Sequence, residues 1–113
     1  MSRPNFIELP ARDLAASRAF FEAAFGFTMT PFGLTYACTL TGDVDIGLQA
    51  DPQEATQAPL PVIAVADLEA TLAAVTAAGA AVTKPIFGFP GGRRFHFRDP
   101  GGNELAAMQV DPR

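Results

Sequence analysis

The sequence predicts an α+β fold built from two tandem βαβββ modules. Three observations predict it. A pattern of strand, Asp-Leu pair, helix and Gly occurs twice; three short strand candidates follow each helix; and 113 residues leave each copy roughly fifty, enough for one shared sheet system with little elaboration. The boundaries read as module one over 1–50, a linker over 51–59 and module two over 60–113, together one domain.

In module one, Phe6 to Leu9 is the first strand. Asp13 caps a helix that runs through Phe25, and Gly26 stands where a left-handed residue closes it. Leu14, Phe21 and Phe25 share one helical stripe, which predicts a buried face. Thr28 to Phe32, Thr35 to Thr41 and Val44 to Ala50 follow as strands, with turns at Gly33 and Gly42-Asp43. The linker carries the Pro, Gln, Glu and Thr content of an exposed connection.

Module two repeats the order. Val62 to Val65 is its strand, Asp67 the cap, Leu68, Leu72 and Val75 the apolar stripe and Gly79 the stop. Ala81 to Phe87, Arg93 to Arg98 and Glu104 to Gln109 complete it, and Gly88 to Gly92 reads as a mobile lid or turn. Phe20, Phe21, Phe25, Phe95 and Phe97 are assigned to the core.

Composition excludes several function classes. Eight Lys and Arg against twelve Asp and Glu give a net charge of −4, and no basic run tracks a nucleic-acid backbone. The single Cys38 permits no internal disulfide and reads as a small buried strand residue rather than a nucleophile. The Ala70 to Val82 stretch is too short and too interrupted to span a bilayer. The start Met1-Ser2-Arg3-Pro4 lacks the apolar core of a signal peptide, so a cytoplasmic location is expected.

Two stretches carry a family resemblance. The segment Arg12 to Phe27, with its Asp13-Leu14 pair, Phe20-Phe21 aromatics and Phe25-Gly26 close, and the turn Asp99-Pro100-Gly101-Gly102-Asn103 before the last strand resemble the vicinal oxygen chelate superfamily of glyoxalases, bleomycin-resistance proteins and extradiol dioxygenases. The resemblance covers nearly the whole chain. It implies a mixed, strongly curved sheet around a cleft, with one helix per module on the outer face, and a homodimer.

In the superfamily's metal-using enzymes, His, Glu or Gln at the first and last strand of each module hold a divalent ion. Carried onto this sequence, those positions fall on Phe6, Gly47, Pro61 and Ala106, none of which ligates through its side chain. No metal and no cofactor are therefore expected.

Strand alternation around those positions sorts residues between a helix side and a cleft side. The cleft side receives Phe6 and Glu8, Asp45, Gly47 and Gln49, Pro61 and Ile63, and Glu104, Ala106 and Met108. Phe95 and Phe97 suit the helix side, which sends Arg94, His96 and Arg98 the other way. The candidate ligand-binding set is Phe6, Glu8, Tyr36, Asp45, Gln49, Arg94, His96, Glu104 and Met108, with Phe87 and Phe89 as further stacking groups.

The expected function is metal-independent binding of a small molecule, an antibiotic or an aromatic or cationic metabolite, as in bleomycin-resistance-type proteins. The partners expected are that ligand and a second copy of the chain, with no nucleic acid and no membrane. The alternative is a lyase, isomerase or dioxygenase-type enzyme. It would use a displaced metal on His96, Glu8 and Glu104, or His96 paired with Glu104 or Glu8 for acid-base work.

Overall fold

The computed structural model describes residues 2–112. The elements run β1 (Arg3–Pro10), α1 (Leu14–Phe25), β2 (Thr30–Pro31), β3 (Tyr36–Cys38), β4 (Asp45–Gln49), β5 (Leu60–Ala64), α2 (Leu68–Ala77), β6 (Ala81–Phe89), β7 (Gly92–Arg98) and β8 (Glu104–Val110), which is βαβββ twice. The chain forms two compact units, one of Phe6–Leu60 and one of the residues from Pro61 onward together with those up to Asn5.

In the first unit the Asp13 carboxylate accepts from the Ala16 amide at 3.0 Å, and Gly26, at φ 69°, closes the helix by donating to the Glu22 carbonyl. The strands lie in the order β2-β3-β4-β1, with β1 parallel to β4 and the other pairs antiparallel. Met29, Ala37, Leu48 and Ala11 form the core, packed by Leu9, Leu14, Phe21, Phe27, Ile46 and Ala50. That set places the odd residues of β1 and the even residues of β4 beneath α1.

Two expectations change here. Phe20 and Phe25 are 58% and 62% exposed instead of buried. The apolar stripe of α1 is wider than the small core beneath it, so these rings pack on their neighbours: Phe20 stands edge-on to Phe21 at 5.2 Å and Phe25 stacks on Phe27 at 5.6 Å. β2 also shrinks to two residues. Pro31 has no amide to offer the ladder, and the chain then turns through Gly33, φ 79°, a turn closed by the Phe32 amide donating to the Tyr36 carbonyl.

In the second unit Asp67 caps α2 through Ala70, and Gln109 Oε1 accepts from the Leu68 amide at 2.8 Å, fastening the helix start to β8. Gly79 is the left-handed residue after the helix, at φ 96°. The strand order is β5-β8-β7-β6, with β5 parallel to β8. Val65, Leu68, Phe95, Phe97 and Ala107 form its core, packed by Ile63, Leu72, Val75, Ala80, Ile86 and Leu105. The α2 stripe and the Phe95-Phe97 pair lie where the sequence puts them.

The segment Gly88 to Gly92 is a turn, one of the two readings of the sequence. Gly88 pairs with Arg93 and Phe89 with Gly92, so β6 and β7 run to a tight turn at Pro90-Gly91, where Gly91 takes φ 101°. The face assigned to β5 is also one residue out of phase. Ile63 packs in the core under α2, whereas Leu60 and Val62 are buried on the other face and Pro61 is exposed. Val62 pairs with Ala106 as Glu8 pairs with Gly47, each five residues before its cap, so the counterpart of Phe6 is Leu60, not Pro61. A hydrophobic strand shows no alternation by which sequence alone could choose the phase.

Candidate functional site

On the first unit's sheet, the face away from α1 carries Phe6, Glu8, Tyr36, Cys38, Asp45, Gly47 and Gln49. Registers confirm the grouping, since Phe6 pairs with Asp45, Glu8 and Cys38 with Gly47, and Tyr36 with Gln49. Gly47 has a specific reason to be glycine. A methyl group there would meet the Phe6 ring Cζ at 2.5 Å and the Tyr36 hydroxyl closer still. The edge of the Phe6 ring and the Tyr36 hydroxyl therefore lie over bare backbone, and the two half-buried side chains form an aromatic floor on this face. Beside it, Glu8 is only 2% exposed and is engaged within the chain.

Asp45 and Gln49, both in the candidate set, are occupied by their own chain. Asp45 Oδ1 accepts from the Thr39 and Thr41 hydroxyls at 2.7 Å and the Thr41 amide at 2.8 Å, and Oδ2 from the Gly42 amide at 3.1 Å. Burial alone would raise its pKa, but these donors outweigh it and hold the carboxyl below its usual range. Asp45 is thus the knot of the β3–β4 turn, a role that Thr39, Thr41 and Gly42 could have signalled. Gln49 Oε1 accepts from the Asp51 amide at 3.0 Å and starts the linker. Cys38 is buried, and burial followed by the Asp45 charge pushes its thiol pKa up, which makes it a poor nucleophile.

In the second unit, the face away from α2 gathers Arg94, His96, Glu104, Ala106 and Met108, through the rungs Arg94↔Met108 and His96↔Ala106. His96 is fully buried instead of facing solvent. Its Nδ1 lies 3.0 Å from Glu104 Oε2, which also accepts from the Thr83 hydroxyl at 3.0 Å. Burial, ahead of every other cause, lowers the His96 pKa. Glu104 is also held low, because the His96 and Thr83 hydrogen bonds outweigh its own burial. A neutral imidazole donating from Nδ1 to an ionised Glu104 satisfies both directions.

The aromatic residues of β6 order the cations around this pair. The Phe87 ring stands 5.7 Å from the His96 ring, with Lys84 Nζ and Arg94 Cζ each 5.3 Å from the Phe87 centroid. Phe89 lies 5.6 Å from Arg94. Thr83 and Lys84 escape sequence reasoning because β6 shifts register twice between Val82 and Phe87, which breaks simple alternation. Arg98 turns away and donates to the Gly102 carbonyl at 3.0 Å.

The residues present do not fit the superfamily's metal. Phe6, Gly47, Leu60 and Ala106 offer no donor atoms in their side chains, and the Phe6 ring and the Tyr36 hydroxyl fill the space at Gly47. Among the described residues no three His, Cys, Asp or Glu side chains come together as a metal site.

A family model described as the Glyoxalase/Bleomycin resistance protein/Dioxygenase superfamily matches residues 3–107. No curated protein matches the chain. Similar solved structures include an NAD-dependent benzaldehyde dehydrogenase from Legionella pneumophila, with 15% identity, TM-score 0.77, and coverage of 96% of this chain and 100% of that one. A methylmalonyl-CoA epimerase from Mycobacterium tuberculosis shows 13% identity and TM-score 0.75 over 96% and 88%. A Mn(II)-bound glyoxalase from Novosphingobium aromaticivorans shows 20% identity and TM-score 0.70, over 96% of this chain but 40% of its own. At these identities the likeness is one of fold.

Proposed function

We propose that this chain, which belongs to the Glyoxalase/Bleomycin resistance protein/Dioxygenase superfamily, binds a small aromatic ligand without a metal ion and holds it rather than transforming it. The observation that carries this reading is the floor of Phe6 and Tyr36 laid over Gly47, where the superfamily's metal enzymes keep a ligand. Two half-buried aromatic side chains on one face favour stacking of an aromatic group. The net charge of −4 favours a cationic or hydrogen-bond-donating substituent.

The same reading takes the protein as a cytoplasmic homodimer. Its single cysteine, buried and unmatched by a second, suits a reducing compartment. The exposed Phe20, Phe25, Phe32 and Leu34 supply apolar surface for a second copy.

Thermal denaturation with two indoles of opposite charge tests the binding. Tryptamine is expected to raise the melting temperature, and at one hundred times its dissociation constant the stabilisation is about 2.7 kcal/mol. Indole-3-propionate should give less. Phe6→Ala and Tyr36→Ala should each remove most of the shift. Absence of any shift with tryptamine, or a shift that survives loss of both rings, overturns the proposal. The second reading, an acid-base enzyme, is favoured by the His96–Glu104 pair.

A further inference from the structure

The second unit carries an arrangement that ligand binding on the first unit's aromatic floor does not use. His96 is fully buried, yet its Nε2 meets no hydrogen-bonding partner among the described residues. Its other ring nitrogen is engaged by Glu104, itself braced by Thr83. With Nδ1–H donating to that carboxylate, Nε2 presents a lone pair and no proton. Two cations, Lys84 and Arg94, share this face. Lys84 is the β6 partner of His96, Arg94 lies two residues before it on β7, and both are ordered by the Phe87 ring.

An acceptor flanked by positive charge suits one class of ligand, an acid whose proton goes to the imidazole and whose remaining negative charge is met by the cations. We propose that the His96–Glu104 pair is a metal-free base that binds and deprotonates a weakly acidic O–H ligand, a phenol or an enol, with Lys84 and Arg94 stabilising the resulting anion.

The step balances without any co-reactant. The ligand O–H bond breaks, its electron pair stays on oxygen, and the proton forms an N–H bond at Nε2. Glu104 then faces an imidazolium and compensates its charge across the Nδ1 hydrogen bond. Burial, and after it the Arg94 and Lys84 charges, hold the imidazole neutral before the ligand arrives, while Glu104 pulls in the opposite direction. Because Nε2 is buried, binding requires the next rung on this face, the long unbranched side chains of Arg94 and Met108, to move aside. Glu104 in this scheme is a positioning residue, since it fixes the tautomer.

p-Nitrophenol is a direct probe, because only its anion is yellow. Added just below its solution pKa, it is expected to gain phenolate absorption on binding the wild-type protein. His96→Gln should lose about tenfold in affinity and the absorption gain with it. Lys84→Met should weaken binding of the anion at unchanged fold. Because His96 is the only histidine in the chain, ring-nitrogen NMR reads it without ambiguity, even if His96→Gln fails to fold. The free protein should show Nδ1 protonated and Nε2 bare, and the probe should protonate Nε2. No change in the Nε2 signal, no phenolate gain in the wild type, or an equal gain in a folded His96→Gln protein overturns the proposal. None of these outcomes depends on whether tryptamine binds the first unit.

Discussion

Phe95→Ala is expected to lower the unfolding free energy by about 4 kcal/mol, within the range for emptying a large aromatic site in a core. Phe95 has no exposure and sits among Val65, Leu68, Phe97 and Ala107, with the Phe97 ring 5.8 Å away. Small domains have little stability to lose, so a change of this size moves the urea midpoint far or leaves the variant unfolded. The control is Phe20→Ala, which removes a ring that is already 58% exposed and should cost less than about 1 kcal/mol. The comparison separates the two groups of aromatics that composition alone merges. It also bears on the site, because His96 is the next residue along β7 and points to the opposite face, where its imidazole meets Glu104.

Asp45→Ala should cost about 3 kcal/mol, because one substitution unmakes the charge-assisted hydrogen bonds that tie Thr39, Thr41 and Gly42 together. The pH dependence gives the sign. The folded-state pKa of Asp45 is depressed below the ordinary 3.8, so the unfolded chain binds the proton more readily. Its contribution is complete above that value and disappears as pH falls through the lower folded-state pKa. Urea titrations of both proteins should therefore show a constant stability gap from neutrality down to about pH 5, closing at more acidic pH. A gap that stays the same at every pH, or a cost below about 1 kcal/mol, would mean that the carboxylate does not organise the turn.

How much of this was legible in the sequence varies with the local signal. Asp13 and Asp67 cap their helices, and Gly26 and Gly79 stop them, because capping depends on a few adjacent residues. The placement of Glu8, His96 and Glu104 on the face away from the helices follows from alternation on strands with clear polar and apolar faces. Alternation fails on β5, where Leu60 to Ala64 is apolar throughout, and on β6, where two register shifts bring Lys84 and Phe87 to one face. Nor does it distinguish a side chain that faces a ligand from one that serves its own turn, which is why Asp45 and Gln49 entered the candidate set. Burial is the least local property of all. Nothing near His96 in the chain says that its ring is closed over, and nothing near Phe25 says that the core ends before reaching it.

Metal loading tests most directly the proposal that Phe6 and Tyr36 stand in place of the superfamily's metal centre. Protein purified without chelators is equilibrated with Ni²⁺, Zn²⁺, Mn²⁺ and Fe²⁺, freed of loose ions by gel filtration and measured by elemental analysis. Trace metal only is expected, with the same tryptamine response before and after EDTA. Near-stoichiometric metal that disappears in His96→Ala, or a tryptamine response abolished by EDTA, would contradict it.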